Sequence, residues 1–312
     1  MNIPHKPVLL NEVVNSFKSM GDKRYFVDCT LGYAGHSSAI LETYTKVNLI
    51  GIDRDSEALN FSRKRLEVFQ TRVELRKGKF SHIFDGLEHQ KIAGILADFG
   101  VSSLQLDKKE RGFSFKSETL DMRMDTDELI SAYHIVNNYS FKDLTLIFTK
   151  YGEIREIEAK RIASAIINYR LKEPIESGKV LADIISSASH DSGKIHPATL
   201  AFQAIRIEVN SELKEIESLL QSVENRAKKG ELKGLILSLI TFHSLEDRLV
   251  KEYFKKWTQN CICPADTFRC ECGNNNSLGK KLTKRPIMAS KIELQENVRS
   301  RSAKLRTFKF KG

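Results

Sequence analysis

Three aspartates end three separate apolar segments of this chain. Asp28 closes the run YFVD, Asp53 closes NLIGID and Asp98 closes IAGILAD. Short apolar runs rich in β-branched and aromatic residues predict buried strands. Because the carboxyl ends of parallel strands meet at one edge of a sheet, we expect the three carboxylates to lie at the edge where α/β folds bind ligands.

A turn between the first two of these strands suits a nucleotide-like ligand. Gly32 and Gly35 permit a tight turn and a close approach of the backbone, and a helix is expected from His36. Asp53 follows Gly32 by 21 residues, which is about the spacing expected of a carboxylate that binds ribose hydroxyls. The turn lacks the full three-glycine dinucleotide pattern, which argues against NAD or FAD.

The elements that must position these groups alternate as in an α/β fold. The runs RVELR and GLILSLITF predict two further strands, whereas the chain from about Thr126 to Lys229 predicts helices almost throughout. We therefore predict one α/β domain, formed by residues 1–107 and 231–278, with a helical insertion over residues 108–230. Residues 279–312 are predicted to form a basic C-terminal tail.

Positive charge is concentrated in that tail. The 312-residue chain has a net charge of +10, and residues 279–312 contain eleven Lys or Arg against two Glu. Such a segment predicts a polyanionic partner such as nucleic acid, with a solvated, partly disordered tail as the alternative. No apolar run reaches the ~18 residues of a membrane span and the N-terminus lacks a secretory h-region, so we expect a cytoplasmic protein without membrane contact.

Nine short motifs between His5 and Arg306 resemble those of the bacterial 16S ribosomal RNA cytosine-N4 methyltransferases of the RsmH (MraW) type. In chain order they are HKPVLLNEV, VDCTLGYAGHS, GIDRDSEAL, ADFGVSSLQLD, RGFSF, LDMRMD, FQAIRIEVN, FHSLEDR and RSRSAKLR. The resemblance implies a Rossmann-like class I methyltransferase sheet with a helical insertion domain. It also implies S-adenosylmethionine as cofactor and methylation of the exocyclic N4 of a cytidine in the decoding centre.

The resemblance also implies cofactor contacts. Carried over by position, they are Ala34, Gly35, His36, Asp53, Phe80, Asp98 and Gln105. The family usually has glycine where this chain has Ala34. Asp98, or the carbonyl groups of Phe99 and Gly100, would accept a hydrogen bond from N4 and stabilise the charge that develops there. Asp98 is thus the predicted catalytic residue, and a role in cofactor binding alone is the alternative.

Two further groups of residues have candidate roles. Phe113 and Phe115 are candidates to stack on an extruded base. The motif residues His243, Glu246 and Asp247 look like an acid–base cluster, and shaping the pocket floor while bracing the insertion is the favoured alternative.

No metal site is predicted, although two groups of side chains have suitable chemistry. Cysteines in two Cys-x-Cys pairs offer a zinc site, but the single intervening residue favours reduced loop thiols; they are Cys261, Cys263, Cys270 and Cys272. Carboxylates that offer hard oxygen ligands for magnesium are Asp107, Asp121 and Asp125. Transfer of a methyl group from a sulfonium requires no metal.

The expected partner is 16S ribosomal RNA or the small ribosomal subunit. The alternatives are a methyltransferase that acts on another amine, in DNA or protein, and a non-catalytic RNA-binding protein with a relict cofactor fold. Activity on duplex DNA would favour the first alternative, and absence of cofactor binding would favour the second. The sequence leaves the oligomeric state open, with a homodimer among the options.

Overall fold

A computed structural model describes residues 6–21, 25–87, 91–189, 197–264 and 266–312. The chain divides into two units, one formed by residues 1–100 and 214–312 and the other by residues 101–213. The second unit begins earlier than the predicted insertion because Val101 and Leu106 already pack against its core. It also ends earlier, since the chain from Lys214 onward belongs to the first unit.

One eight-stranded sheet organises the first unit. Its strands are β1 (Tyr25–Asp28), β2 (Asn48–Asp53), β3 (Val73–Lys77), β4 (Ile92–Asp98), β5 (Ile236–Thr241), β6 (Gly279–Lys281), β7 (Ile287–Met288) and β8 (Lys304–Phe310). The order is β3-β2-β1-β4-β5-β8-β6, and β7 also pairs with β8. Strands β1 to β5 run parallel, whereas β8 is antiparallel to its neighbours. All five strands predicted from the sequence are confirmed.

Helices flank this sheet in the chain. They are α1 (Leu10–Ser16), α2 (Gly35–Thr43), α3 (Ser56–Leu66), α10 (Glu212–Lys228), α11 (Ser244–Trp257) and α12 (Lys291–Glu296). Helix α3 begins because the Asp55 carboxylate accepts a hydrogen bond from the backbone N–H of Glu57. The core joins α1 to the sheet, with Phe17 and Phe26 in edge-to-face contact at 4.9 Å between ring centroids. Within the described ranges, no helix has the length and apolar character needed to cross a membrane.

The regular elements of the second unit are helices in the part of the chain that the structure describes, and residues 112–131 form a loop between them. This unit contains α4 (Ser103–Asp107), α5 (Ala132–Asn138), α6 (Phe141–Gly152), α7 (Glu156–Arg170), α8 (Gly178–Ala188) and α9 (Pro197–Asn210). The hydroxyl of Ser140 accepts a hydrogen bond from the backbone of Asp143 and so starts α6. Buried aliphatic residues of α5 to α9 form a separate hydrophobic core.

Residues 279–312 are basic, but they do not form the disordered tail that was the alternative, because they contribute β6, β7 and β8 to the sheet. Strand β8 pairs with all six residues of β5. Leu305, Phe308 and Phe310 are buried, and Phe308 packs against Phe254 and Trp257 of α11 at centroid distances of 5.2 and 5.4 Å. The buried side chains of Leu305, Phe308 and Phe310 therefore anchor a segment that also has eleven Lys or Arg residues.

Candidate functional site

The strand order reverses between β1 and β4, which defines a switch point in the sheet. Ligands of open α/β folds bind outside the carboxyl ends of the strands at such a point. Asp28 and Asp98 end these two strands, and the backbone N–H of Asp98 donates to the Thr30 hydroxyl at 2.6 Å. Asp53 ends the neighbouring β2. The predicted placement of three aspartates at one sheet edge is confirmed.

Asp53 holds the glycine turn against the sheet. Its Oδ2 accepts a hydrogen bond from the N–H of Gly32 at 2.8 Å, and its Oδ1 accepts one from Asp55 at 2.9 Å. Burial raises the pKa of Asp53 to about 6, against the lowering effect of these backbone hydrogen bonds. The carboxylate fixes the backbone between β1 and α2 whether or not it also binds a ribose.

The turn itself has left-handed backbone at Gly32 (φ 50°) and at Ala34 (φ 57°). A non-glycine residue in this conformation costs about 1–2 kcal/mol, so Ala34 keeps the turn at a cost in stability. A Cβ atom on Gly35 would overlap the ring of Pro7. The close approach that Gly35 permits is therefore to the N-terminal segment, where the sequence predicted a ligand.

His36 is buried and its side chain is already engaged. Its Nε2 lies 2.8 Å from the carbonyl oxygen of Val8. The ring thus fixes the N-terminal segment to α2. What the turn offers a ligand is the backbone at the start of α2, because the first N–H groups of any helix have no partner within the helix and favour negative or polar groups.

The carboxyl group of Asp98 brings an acceptor oxygen without a partner to this edge. Its Oδ1 is buried, and none of the described residues hydrogen-bonds to it. Burial raises the pKa of Asp98 well above its usual range, and the charges of Asp28 and Glu246 raise it further. A buried carboxylate among like charges is a typical feature of functional sites and favours a cationic ligand or a hydrogen-bond donor.

Asp28 is also buried, but its carboxylate is satisfied. Oδ2 accepts a hydrogen bond from the Ser37 hydroxyl at 2.6 Å, and Oδ1 accepts one from the N–H of Thr30 at 3.2 Å. Burial raises the pKa of Asp28 from 3.8 to about 6 despite these hydrogen bonds. Asp28 therefore braces the edge at a cost in stability whenever it is ionised.

Replacing this carboxyl should stabilise the ligand-free chain at neutral pH. An acid whose pKa is raised on folding contributes fully below its unfolded value of 3.8 and loses that contribution as pH rises through about 6. Asp28→Asn should thus gain up to about 3 kcal/mol at pH 7 and nothing near pH 4. Urea unfolding at pH 4 to 7 measures the difference. The exposed Glu217→Gln is the control; a loss of stability in Asp28→Asn at every pH would contradict the expectation.

The two remaining predicted cofactor contacts lie in different units. Phe80 is half-buried, and its ring centroid lies 5.7 Å from that of Phe99. Gln105 belongs to the second unit, where it is buried and its Oε1 accepts a hydrogen bond from the N–H of Ser102 at 2.9 Å. Both assignments remain predictions.

Comparison with known proteins decides the family. Residues 2–311 match the model of the MraW methylase family. The chain belongs to this family. It is 57% identical over 312 residues to "Ribosomal RNA small subunit methyltransferase H" of Sulfurovum sp. (strain NBC37-1), a match that covers 100% of this chain and 99% of the relative. A protein of the same name from Aliarcobacter butzleri (strain RM4018) is 54% identical over 310 residues, covering 99% and 100% respectively.

The methyltransferase thus has a Rossmann-like sheet with a helical insertion and uses S-adenosylmethionine. The sheet edge fits this cofactor, because a buried acceptor on Asp98 lies among like charges that a sulfonium would offset. The left-handed turn and Asp53 provide polar backbone and a carboxylate on the β1–β2 side.

The FHSLEDR motif of the methyltransferase is explained by its hydrogen bonds. His243 and Glu246 form a reciprocal capping box that starts α11. Asp247 forms a bidentate ion pair with Arg306 of β8, with distances of 2.7 and 3.0 Å. Burial alone would raise the pKa of Asp247, but the hydrogen bonds and charge of Arg306 outweigh it and the pKa is lowered. These contacts indicate a helix cap and a tie to β8. His243 Nε2 also lies 3.1 Å from Glu246 Oε1, so the acid–base interpretation stays a prediction.

Within the second unit, the FQAIRIEVN and LDMRMD motifs are joined by hydrogen bonds. The Asn210 side chain accepts a hydrogen bond from Met124 N–H and donates one to Met122 carbonyl, each at 2.8 Å. Asp121, weighed above as a magnesium ligand, instead pairs with Arg123 through two hydrogen bonds. Within the second unit, the LDMRMD loop is thus fastened to α9.

The predicted stacking on a base is wrong for Phe113 and stays a prediction for Phe115, which is half-buried. Phe113 is buried in the core of the second unit. Phe115 packs edge-to-face on Phe202, with ring centroids 4.7 Å apart. Both side chains pack in or against the hydrophobic core of the second unit.

Two structurally important residues escaped the sequence analysis. The Ser37 hydroxyl donates a hydrogen bond to the Asp28 carboxylate, and the position of Ser37 in the first turn of α2 could have indicated this contact. Glu293 of α12 accepts hydrogen bonds from Leu9 N–H and from the Ser300 hydroxyl, both at 2.7 Å. No local pattern marks Glu293, because its partner Leu9 lies 284 residues away in the chain.

Proposed function

We propose that this methyltransferase transfers a methyl group from S-adenosylmethionine to the exocyclic N4 of a cytidine in the decoding centre of 16S ribosomal RNA. The observation that carries the proposal is full-length identity of 57% to a relative named for the small-subunit ribosomal RNA. The substrate is the 16S RNA or the small subunit that contains it, and the reaction takes place in the cytoplasm.

Cofactor binding is assigned to the sheet edge and, from the family resemblance, to further residues. The turn of Ala34, Gly35 and His36 would contribute backbone groups, and Asp53 would bind ribose hydroxyls. Phe80 and Gln105 complete the assignment. S-adenosylmethionine supplies an electrophilic methyl group, so the main task of the protein is to hold the acceptor nitrogen in line with it.

Asp53→Ala tests this assignment. The substitution should weaken S-adenosylmethionine binding by about 1–3 kcal/mol, the cost of leaving buried hydroxyl groups unpaired. It also releases the N–H of Gly32, so calorimetric affinity must be measured on chain that remains folded. Asp55→Ala is the matched control, because it removes the cap of α3 and leaves the Asp53 carboxylate in place. An affinity equal to that of the unaltered chain would contradict the assignment.

Asp98 is assigned to catalysis. The N4 lone pair of cytosine is conjugated into the ring and weakly nucleophilic. Acceptance of an N4–H hydrogen bond by Asp98 Oδ1 would favour a pyramidal nitrogen and stabilise the positive charge that develops on it. The buried position and missing partner of Oδ1 support this role.

RNA binding is assigned to exposed cations around β6 and β7. The four exposed basic residues of this stretch are Lys280, Lys281, Lys284 and Arg285. Arg306, by contrast, is occupied by Asp247. Phosphate contacts of this kind position an RNA without reading its sequence.

Neutralising these four residues to Gln should weaken binding of a 16S RNA fragment and flatten its salt dependence. Each lost phosphate contact reduces the log–log salt slope by about 0.7–0.9. Fluorescence anisotropy at several salt concentrations gives the slope. The control removes four exposed charges elsewhere in the first unit, at Lys18, Arg63, Lys64 and Lys251. Equal slopes for the two variants would show that the β6–β7 surface has no special part in binding RNA.

Mass spectrometry of ribosomal RNA nucleosides tests the function itself. Cells that lack this protein should lose N4-methylated cytidine from 16S RNA, and complementation should restore it. An unchanged nucleoside profile would overturn the proposal. Loss of a methylated base from DNA instead would show that the substrate is DNA.

A further inference from the structure

Four cysteines between α11 and β6 come together in space. The Sγ atoms of Cys261, Cys263, Cys270 and Cys272 all lie within 4.8 Å of one another. Cys270 and Cys272 are 3.5 Å apart, Cys261 and Cys270 are 3.6 Å apart, and Cys272 and Cys261 are 3.8 Å apart. The spacing of the cysteines in the sequence favoured separate loop thiols, whereas the fold places them around one point.

These separations suit a single tetrahedral ion. A zinc–sulfur bond of about 2.3 Å places two sulfurs of a tetrahedron roughly 3.8 Å apart. A disulfide requires the sulfurs to be only about 2.05 Å apart. An iron–sulfur cluster places inorganic sulfide and several irons between its cysteines, and this cluster of thiols has no space for them.

Backbone N–H groups support the sulfurs in a reciprocal pattern. The N–H of Ile262, in the first Cys-x-Cys pair, donates to Cys272 at 3.3 Å. The N–H of Glu271, in the second pair, donates to Cys263 at 3.3 Å. Each turn thus orients a sulfur of the other turn, which is the role that surrounding hydrogen bonds have at metal centres.

The segment that carries the cysteines has no apolar core among its described residues. None of residues 261–264 and 266–272 is buried, and the Phe268 side chain is fully exposed. Asn276 connects the two ends of this segment, because its side chain donates hydrogen bonds to the carbonyl oxygens of Asn260 and Cys272, both at 3.0 Å. A loop this short cannot be fixed by burial of apolar surface, so a metal cross-link is the available means.

We propose that Cys261, Cys263, Cys270 and Cys272 bind one structural zinc ion that fixes the loop between α11 and β6. As zinc binds, the four thiols release their protons to water and become thiolate ligands. Four protein ligands fill a tetrahedral shell and leave no position for a substrate, so the site is structural. The cysteines follow the C-terminal end of α11, whereas methyl transfer is proposed where β1 and β4 end.

Metal analysis of the full chain tests the proposal. Protein purified under reducing conditions without added metal should contain about one zinc ion per chain by mass spectrometry. Cobalt substitution should give the intense sulfur-to-metal charge-transfer absorption of a tetrahedral thiolate site. Cys261→Ser and Cys272→Ser should each weaken zinc binding at least about 100-fold. The matched control is Glu271→Gln in the same turn, which should retain the ion.

The wild-type measurements keep the proposal falsifiable if a serine variant does not fold. A wild-type chain that holds no zinc after equimolar zinc is added would overturn it. Iron at that stoichiometry, or cysteines joined as disulfides in reduced protein, would also overturn it. Retention of zinc by both serine variants would show that the ion lies elsewhere.

Discussion

A chain shortened to end before Gly279 should fail to fold. The deletion removes β6, β7 and β8, leaves β5 without its neighbour β8 and exposes apolar surface that Leu305, Phe308 and Phe310 now cover. Burial of each such side chain contributes about 1.5–3 kcal/mol, so the three together account for about 5–9 kcal/mol. Whole domains are stable by only about 5–15 kcal/mol. Circular dichroism and urea unfolding should show loss of cooperative unfolding.

The same deletion should also abolish cofactor binding. Glu293 of α12 binds the backbone of Leu9, and the neighbouring Val8 binds His36 at the start of α2. Hydrogen bonds made by Leu9 and Val8 of the N-terminal segment thus connect the C-terminal segment to the cofactor turn. The variant with four neutralised residues is the control, because it keeps β8 and should unfold like the unaltered chain. A truncated chain that folds and binds S-adenosylmethionine normally would show that β8 is dispensable.

The sheet could be predicted from the sequence wherever a strand is buried on both faces. The segments ending in Asp28, Asp53 and Asp98 are continuous apolar runs, which is the pattern of central parallel strands. Strand β8, with the sequence KLRTFKF, has neither a continuous apolar run nor a strict alternation, although four of its seven residues are buried. Its positive charge therefore drew the interpretation towards a flexible tail.

The candidate site could be predicted only in part, for a similar reason. Strand ends placed the aspartates, because sheet geometry fixes where parallel strands finish. The partners of the turn could not be predicted: the ring of His36 reaches Val8, and Gly35 is packed against Pro7. Such contacts depend on where distant segments fold, and no spacing rule within the chain encodes them. The short distances between the four cysteine sulfurs likewise depend on the fold and could not be predicted from their spacing.

Asp98 offers the sharpest test of the proposed chemistry. Asp98→Asn keeps the shape of the side chain and one acceptor oxygen but removes the negative charge. If the carboxylate stabilises charge that develops on N4, the methylation rate at saturating cofactor and RNA should fall about 10²–10³-fold. The chain should remain folded and at least as stable, because burial and the charges of Asp28 and Glu246 already penalise the ionised form.

The distinction between catalysis and cofactor binding rests on which kinetic quantity changes. Loss of transition-state stabilisation lowers the saturated rate with much less effect on affinity, whereas loss of a cofactor contact weakens affinity and saturation restores most of the rate. Single-turnover methylation and calorimetry on the same preparation separate the two outcomes. Asp53→Asn is the matched control, because it alters a carboxylate assigned to the cofactor and should change affinity more than rate. A near-native saturated rate in Asp98→Asn would exclude the catalytic role and leave Asp98 as a binding residue.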